Sequence, residues 1–369
     1  MVSVVVLSAR GFDDYTFHLV NALASVAKVG YLIDAKQHER FGTALNHNIT
    51  PIVFNRPRRR QLWGLWEMVQ ASRAVQRFEP DLFHLQGNGL WENFLLRMIR
   101  NIPLIDTVHD PVLHIDYQNY LNNYFLRDAV GRADGWVVHG EGLKQLLVSQ
   151  FRVDPERILV HPLGIHDYYG HPEAASGQRE KIILFFGEPR INKGFDLLLR
   201  VFHSVQDRLD GWRLVIAGKG AADPSALAMI RSLGDRVIYE NRHISDREVT
   251  DLFSRAGIVA LPYRHGSTSG VLGIAAALGC PVLATKVGNL PEIMEHEKQV
   301  YFVEPDNEQA LAQGLIYLVG HPEIRAKLGQ NLYELARTDW AWKKIAERTV
   351  DFYTRVLSEQ KAARSLKRI

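Results

Sequence analysis

Two apolar patterns alternate along the chain. Short continuous apolar runs stop abruptly at glycine or polar residues, and longer stretches between them space apolar residues three and four apart. The runs predict buried β-strands, and the stretches predict amphipathic helices. In the first half, strands are predicted at residues 2–7, 29–33, 80–85, 103–108, 135–138 and 158–161. Helices are predicted at 17–27, 62–77, 92–100, 117–129 and 142–151. Residues 164–180 contain glycine, histidine and proline without periodicity and read as a linker. The alternation then restarts, with strands at 182–186, 214–217, 237–239, 258–261, 281–284 and 300–303. Strands separated by helices require parallel sheets with right-handed crossovers. The expectation is an α/β chain of two Rossmann-like, doubly wound parallel-sheet domains. Residues 1–165 form the first, 166–180 the linker and 181–345 the second. A closing helix at 346–369 is expected to cross back to the first domain.

One stretch carries the clearest chemistry. Residues 185–195 read FFGEPRINKGF: a strand stops at Gly187, a polar turn carries Arg190 and Lys193, and Gly194 opens a helix. Backbone N–H groups at a helix start, the positive end of its dipole and long cations together suit a phosphate. The plainer alternative is a solvated surface turn. The other notable loops also follow strands, at Gly11, His109, 218–220 and 264–270, where α/β sheets bind ligands.

Composition narrows the classes. The 369 residues suffice for two domains, and 46% hydrophobic with 23% charged residues is ordinary for a folded chain with ample core. Net charge +3 gives no global field favouring nucleic acid. The single Cys280 excludes an internal disulfide and suits a reducing compartment. No apolar run approaches the roughly 20 residues of a spanning helix, and the short apolar start reads as a strand rather than a signal peptide. No D-x-D, H-E-x-x-H, G-x-S-x-G or Walker-type loop occurs, and no bound metal is expected.

Four stretches carry a resemblance: FFGEPRINKGFDLLL, LVIAGKG, LPYRHGSTSGVLGIAAALGCPVLATKVGNLPEIM, and the closing run from VEPDNEQAL to TDWAW. Together with the glycine loop at Gly11 and the IDTVHD strand end, they resemble the family-4 glycosyltransferases of the GT-B fold. The resemblance implies two Rossmann-like domains facing a central cleft, with the acceptor on the first and a nucleotide sugar on the second. It places Lys193 and Gly194 on the donor diphosphate. The family's arginine falls where this chain has Glu188, so Arg190, two residues on, is the expected substitute. His109 matches the family histidine that contacts the donor sugar, and it is not expected to be a general base. Gly187, Ser269, Gly270 and Val271 are expected at the diphosphate or sugar, Arg242 and Ile244 at the base, and Gly11 in an acceptor-side loop. The family's two glutamates, eight positions apart, correspond to Gly266 and Ile274 here. A subgroup with a serine-glycine-valine turn after LPYR also lacks that pair.

The implied function is a retaining, metal-independent hexosyltransferase. It would use a nucleotide sugar and a glycan or lipid-linked acceptor in surface polysaccharide or glycoconjugate synthesis. The alternatives are a non-catalytic GT-B nucleotide-binding protein and a nucleotide-sugar epimerase. A dehydrogenase would need a full G-x-G-x-x-G after the first strand, which 8–12 does not supply. Arg56, Arg58, Arg59 and Arg60 precede Trp63 and Trp66, a pairing that suits an anionic membrane surface or an acidic, phosphate-bearing acceptor, while the tryptophans' spacing of three equally suits a core behind a solvated loop. The expected place is the cytoplasm, peripheral at the inner face of the membrane.

Overall fold

The computed structural model describes residues 1–9, 11–58, 60–61, 63–111, 120–172, 179–220 and 222–366. Arg59, Leu62, the start of the predicted helix at 117–119 and residues 173–178 of the predicted linker lie outside them. The chain divides into two compact units, Met1–Pro162 with Trp342–Ile369, and Leu163–Ala341.

The first unit runs β1 Ser3–Ser8, α1 Asp13–Leu23, β2 Lys28–Asp34, α2 Ala35–Phe41, β3 Ile49–Phe54, α3 Gly64–Phe78, β4 Leu82–Gln86, α4 Leu90–Met98, β5 Leu104–Thr107, α5 Tyr120–Arg132, β6 Gly135–Val138, α6 Glu141–Phe151 and β7 Ile158–Val160. The strands form one parallel sheet in the order β3-β2-β1-β4-β5-β6-β7. Val4, Val5 and Val6 are fully buried, so both faces of β1 are covered, as their continuous run predicts. The pattern predicts no element at β3. Only its end residues Ile49 and Phe54 are buried and it contains Pro51, the signature of an edge strand without a periodic signal. Helix α1 begins at Asp13, earlier than predicted, because Asp13 and Asp14 in its first turn suit the helix dipole.

The second unit runs β8 Ile182–Phe186, α7 Phe195–Val205, β9 Arg213–Ala217, α8 Pro224–Leu233, β10 Val237–Glu240, α9 Asp246–Arg255, β11 Ile258–Leu261, α10 Gly270–Ala277, β12 Val282–Thr285, α11 Leu290–Ile293, β13 Tyr301–Val303, α12 Glu308–Gly320 and α13 Pro322–Asp339. Its parallel sheet has the order β10-β9-β8-β11-β12-β13. Helix α7 buries Leu197, Leu198, Val201, Phe202 and Val205 on the sheet, the face its helical spacing predicts.

The stretch read as a linker is packed on this second unit. Ile165 N–H donates to Trp340 O, His166 N–H to Gly273 O, and the Arg179 guanidinium to the carbonyls of Phe253, Ser254, Ala256 and Leu278. Backbone and guanidinium hydrogen bonds of this kind leave no pattern in side-chain hydrophobicity. The last helix, α14 Trp342–Leu366, returns to the first unit and lies against α1, with Trp342 stacked on His18 at 5.4 Å.

Candidate active site

In the second unit, the ends of three neighbouring strands build one turn. Gly187 follows β8 and its N–H donates to Ala217 O at the end of β9. A short 3-10 turn, Ile191–Lys193, then leads into α7. Gly194, between them, has φ +66°, and a Cβ there would lie 1.9 Å from Pro262 O beyond β11. Only glycine allows the turn to pass that carbonyl.

The two cations of the turn are in different electrostatic states. The Arg190 guanidinium pairs with the Glu188 carboxylate, so the residue standing where the family has arginine holds the substitute. Lys193 makes no ion pair or side-chain hydrogen bond among the described residues. Its Nζ lies against Gly187, 2.8 Å from where a Cβ would sit. Burial pushes its pKa below the ordinary lysine value, the neighbouring Arg190 cation adds to the fall, and Glu188 partly offsets it. A partly desolvated ammonium at a helix N-terminus gains most from an incoming anion.

Arg264 and Asp196 clamp this turn, a pair that sequence reasoning did not single out. Arg264 Nη1 and Nη2 meet Asp196 Oδ1 and Oδ2 at 2.5 and 2.8 Å, Nε donates to Asp306, and Nη1 also donates to Ile191 O. Burial alone would raise the Asp196 pKa, but hydrogen bonds from Arg264 and Arg200 hold it down at about 2. The Arg264 and His265 N–H groups both donate to Asn192 O, at 2.8 and 3.3 Å, tying the β11 loop to the turn.

At the end of that loop, Ser269 caps α10. Its Oγ accepts from Leu272 N–H at 3.3 Å and lies 3.1 Å from Tyr263 Oη. The Ser269 side chain is therefore buried in the cap, while Gly270 and Val271 are at least partly exposed. At the positions of the family's two glutamates, Ile274 is 6% exposed in α10, whereas a Cβ placed on Gly266 would meet only Tyr263 Cδ2, at 3.9 Å. The buried Ile274 leaves no room for a carboxylate without displacement, whereas Gly266 is open to a Cβ. Beyond β10, Arg242 pairs with Glu240 and Glu248 at 2.8 and 2.7 Å, and the Ile244 side chain is buried.

His109 lies in the first unit, at the end of a hydrogen-bonded row that crosses four strands. His84 in β4, His109 after β5, His139 after β6 and His161 after β7 are all buried. Burial first, and then the nearness of the other rings, holds His109 well below its ordinary pKa. The same causes put His84 and His139 at about 3; burial, with the Arg348 cation adding to it against the hydrogen bond to Pro162, puts His161 at about 4. All four rings are neutral at pH 7.

Neutrality fixes the tautomers. His139 Nδ1 faces the carbonyl of His161 at 3.2 Å, which only accepts, so Nδ1 carries the proton. Its Nε2 then accepts from His109 Nδ1–H at 2.9 Å. That leaves His109 Nε2 as an acceptor facing the Gln86 amide, whose Oε1 is placed 3.2 Å from it and whose Nε2 is placed 2.9 Å from His84. Two acceptors cannot face each other, so the amide is turned over: its NH2 donates to His109 and its oxygen accepts from His84 Nε2–H. His84 Nδ1 in turn accepts from Tyr353 O–H of α14. His161 completes the row, with Nδ1–H donating to Pro162 O at 2.7 Å.

Both His109 nitrogens are thus engaged, and its ring stacks on Phe12 at 3.9 Å, one residue from the exposed Gly11. The sequence carried a signal for the row. An apolar residue followed by histidine recurs as FH, VH, VH and VH in four successive strand regions.

Among the described residues, no group of His, Cys, Asp or Glu is arranged to hold a metal ion. None of the described helices is long and apolar enough to cross a membrane. The basic segment divides. The Arg56 side chain is only 6% exposed, which removes it from the predicted membrane-facing patch, because its guanidinium is drawn inward to Ser8 O and Glu92. Arg58 and Arg60 are exposed, as are Trp63 and Trp66 at 45% and 63%.

Residues 10–167 match the family model described as Glycosyltransferase Family 4, and residues 180–321 the one described as Glycosyl transferases group 1. An uncharacterized glycosyltransferase of Methanocaldococcus jannaschii is 29% identical over 176 residues, 47% of this chain and 45% of that one. That match therefore spans less than half of the relative's length. A D-inositol 3-phosphate glycosyltransferase of Corynebacterium glutamicum is 27% identical over 311 residues, 76% of this chain and 73% of that one. The structure of Anabaena HepE in complex with UDP and glucose superposes with a TM-score of 0.73 at 17% identity. It covers 96% of this chain and 100% of that one, which establishes a shared GT-B fold.

Proposed function

Since this chain carries both domains of a family-4-type glycosyltransferase, we propose that it moves a hexose from a nucleoside-diphosphate sugar to a glycan or lipid-linked acceptor, with retention and without a metal. The observation that carries the reading is the turn at 187–194: a partly desolvated Lys193 ammonium without an ion partner, beside the N-terminus of α7. When the bond between the sugar and the diphosphate breaks, negative charge builds on the leaving oxygen. A preorganised cation and N–H groups aimed at that charge lower the barrier. Arg190 adds a second cation once the diphosphate displaces Glu188 from it. Gly187, Gly194, Gly270 and Val271 bring backbone near the diphosphate or sugar, the Ser269 hydroxyl holds the α10 start in place, and Arg242 and Ile244 lie by the base. The acceptor proton passes to the leaving phosphate rather than to His109, whose two nitrogens are already engaged.

The fold shared with HepE, solved with UDP and glucose, makes UDP the first nucleotide to try. A melting-temperature screen of nucleoside diphosphates tests the reading. A ligand at 100 times its dissociation constant adds about 2.7 kcal/mol of stability. A screen in which no nucleoside diphosphate raises the melting temperature would overturn it.

A second reading concerns where the reaction takes place. Exposed Trp63, Leu65 and Trp66 beside Arg58 and Arg60 suit the anionic inner face of a membrane bordering the cytoplasm. The observation favouring it is the exposure of both tryptophans, whose spacing of three equally suited a core.

A further inference from the structure

Four of the five guanidinium N–H donors of Arg264 are engaged. Two meet the Asp196 carboxylate in the first turn of α7, one reaches Ile191 O inside the 3-10 turn, and one reaches Asp306 beyond β13. The side chain is only 15% exposed, so water competes little for these bonds. One residue of the β11 loop therefore holds the turn that carries Lys193, the helix that follows it and the loop after β13. The β11 loop has its own anchor on the β12 side. Asn289 N–H donates to Ser267 O at 3.1 Å, and a Cβ on Gly288 would lie 2.2 Å from Gly266 O.

Lys193 needs such a tie. A desolvated ammonium without an ion partner gains by swinging into water, and the lysine stem is flexible enough to let it. The turn by itself resists weakly. It is three residues long, and its own backbone bonds are Lys193 N–H to Arg190 O and Gly194 N–H to Ile191 O. Short 3-10 turns of this kind have poor hydrogen-bond geometry. The remaining restraint comes from the β11 loop: the Arg264 fork, and the Arg264 and His265 N–H groups on Asn192 O. Among the described residues, the charges that act on Lys193 are those of Arg190 and Glu188. Arg264 thus bears on Lys193 through the place of the turn, not through its own field.

We propose that Arg264 is a positioning residue for the phosphate turn: through Asp196 and Ile191 O it keeps the Lys193 ammonium beside Gly187 and out of water, ready for the incoming diphosphate. The proposal rests on the reading of that turn as the donor diphosphate site, and it names the residue on which the site's cation depends.

The test compares Arg264→Lys, Asp196→Asn and Arg200→Gln in the full chain. Arg264→Lys keeps the charge and loses the two-pronged fork. Asp196→Asn is isosteric, and losing a carboxylate near the site would by itself tighten anion binding, so weaker binding there reports position. Arg200→Gln removes the other cation on Asp196, at 2.8 Å, without touching the β11 loop. Protein carrying 13Cε-labelled lysine is titrated by NMR without ligand, and Lys193→Arg identifies the signal to follow. In Arg264→Lys and Asp196→Asn the Lys193 titration should move up by about half a pH unit or more, as the ammonium returns to water. UDP affinity by calorimetry should fall roughly fivefold or more in both. Arg200→Gln should leave the titration in place and UDP affinity within about twofold, as expected of an exposed ion pair. If one variant fails to fold, seen as a lost melting transition, the other reads the same two quantities. An unmoved Lys193 titration or wild-type UDP affinity in the folded variants would overturn the proposal. So would an Arg200→Gln effect as large as that of Arg264→Lys, which would assign the role to the Asp196 charge alone. If the wild type binds no UDP while its Lys193 titration still responds to Arg264→Lys, the diphosphate reading falls and the tie between Arg264 and Lys193 stands.

Discussion

The two units place polar groups at the ends of similar parallel sheets and treat them in opposite ways. In the first, four histidines, Gln86 and Tyr353 are buried, neutral and joined into one row of hydrogen bonds. In the second, Lys193 is partly desolvated and left without an ion partner. A completed row is rigid and holds His109 in one tautomer. An incomplete site keeps electrostatic energy that is released only when an anion arrives. The difference separates a group set up to position from a group set up to stabilise charge.

The largest expected effect would break the first arrangement. Each of the four histidines has a folded pKa below the unfolded value of roughly 6.5. The unfolded chain therefore binds more protons as pH falls, and the stability present above pH 6.5 is lost progressively toward pH 3. Each histidine contributes up to about 1.4 kcal/mol per pH unit in that window. Asp106 works against them. Burial lifts its carboxyl to about 7, so the stability it contributes is fully present below the unfolded value of about 4 and is lost as pH rises through 7. Four groups outweigh one, so denaturant midpoints should fall steadily between pH 6.5 and 4.5. Asp106→Asn should make that fall steeper. A flat profile would mean that the row is not neutral.

The second effect would remove the charge from the second arrangement. Lys193→Ala should cost about 3 kcal/mol of transition-state stabilisation, roughly a hundredfold in transfer rate. Its melting temperature without ligand should stay near the wild-type value, because the lost ammonium has no ion partner. Full activity and full nucleotide stabilisation in this variant would reduce the turn to an ordinary surface loop. Tyr353→Phe comes next. It leaves His84 Nδ1 without its donor at full burial and should cost about 1–3 kcal/mol in denaturant midpoints, with nucleotide stabilisation intact.

Glu188→Gln sharpens the comparison from the other side. Freeing Arg190 from its carboxylate partner should tighten UDP binding by about 0.5–1 kcal/mol, a few-fold in dissociation constant by calorimetry. Unchanged or weaker binding would show that Arg190 does not reach the diphosphate. A further effect lies on the exposed patch. Arg58→Ser with Arg60→Ser should lower affinity for anionic vesicles by about 1 kcal/mol per cation, and the loss should shrink as salt rises. Equal vesicle binding by variant and wild type would remove the membrane reading.

The sequence by itself determined the layered plan. Continuous apolar runs such as Val4-Val5-Val6 can be buried only between two helical layers. The Gly187, Lys193 and Gly194 pattern was legible because strand, turn and helix are neighbours in the chain. Edge strand β3 was not legible, because only its end residues Ile49 and Phe54 are buried and no apolar run marks it. Only the tertiary structure brought His84, Gln86, His109, His139 and Tyr353 together, since strands far apart in sequence become adjacent through sheet order. It also decided the fate of charges. The string Arg56, Arg58, Arg60 reads as one basic patch, yet Arg56 turns inward to Ser8 and Glu92 while Arg58 and Arg60 stay exposed. Arg190 reads as a phosphate ligand, yet Glu188 holds it. Local pattern sets which segments pack, because burial of apolar area depends on spacing. The partner of a charged or hydrogen-bonding group depends on what folding places beside it.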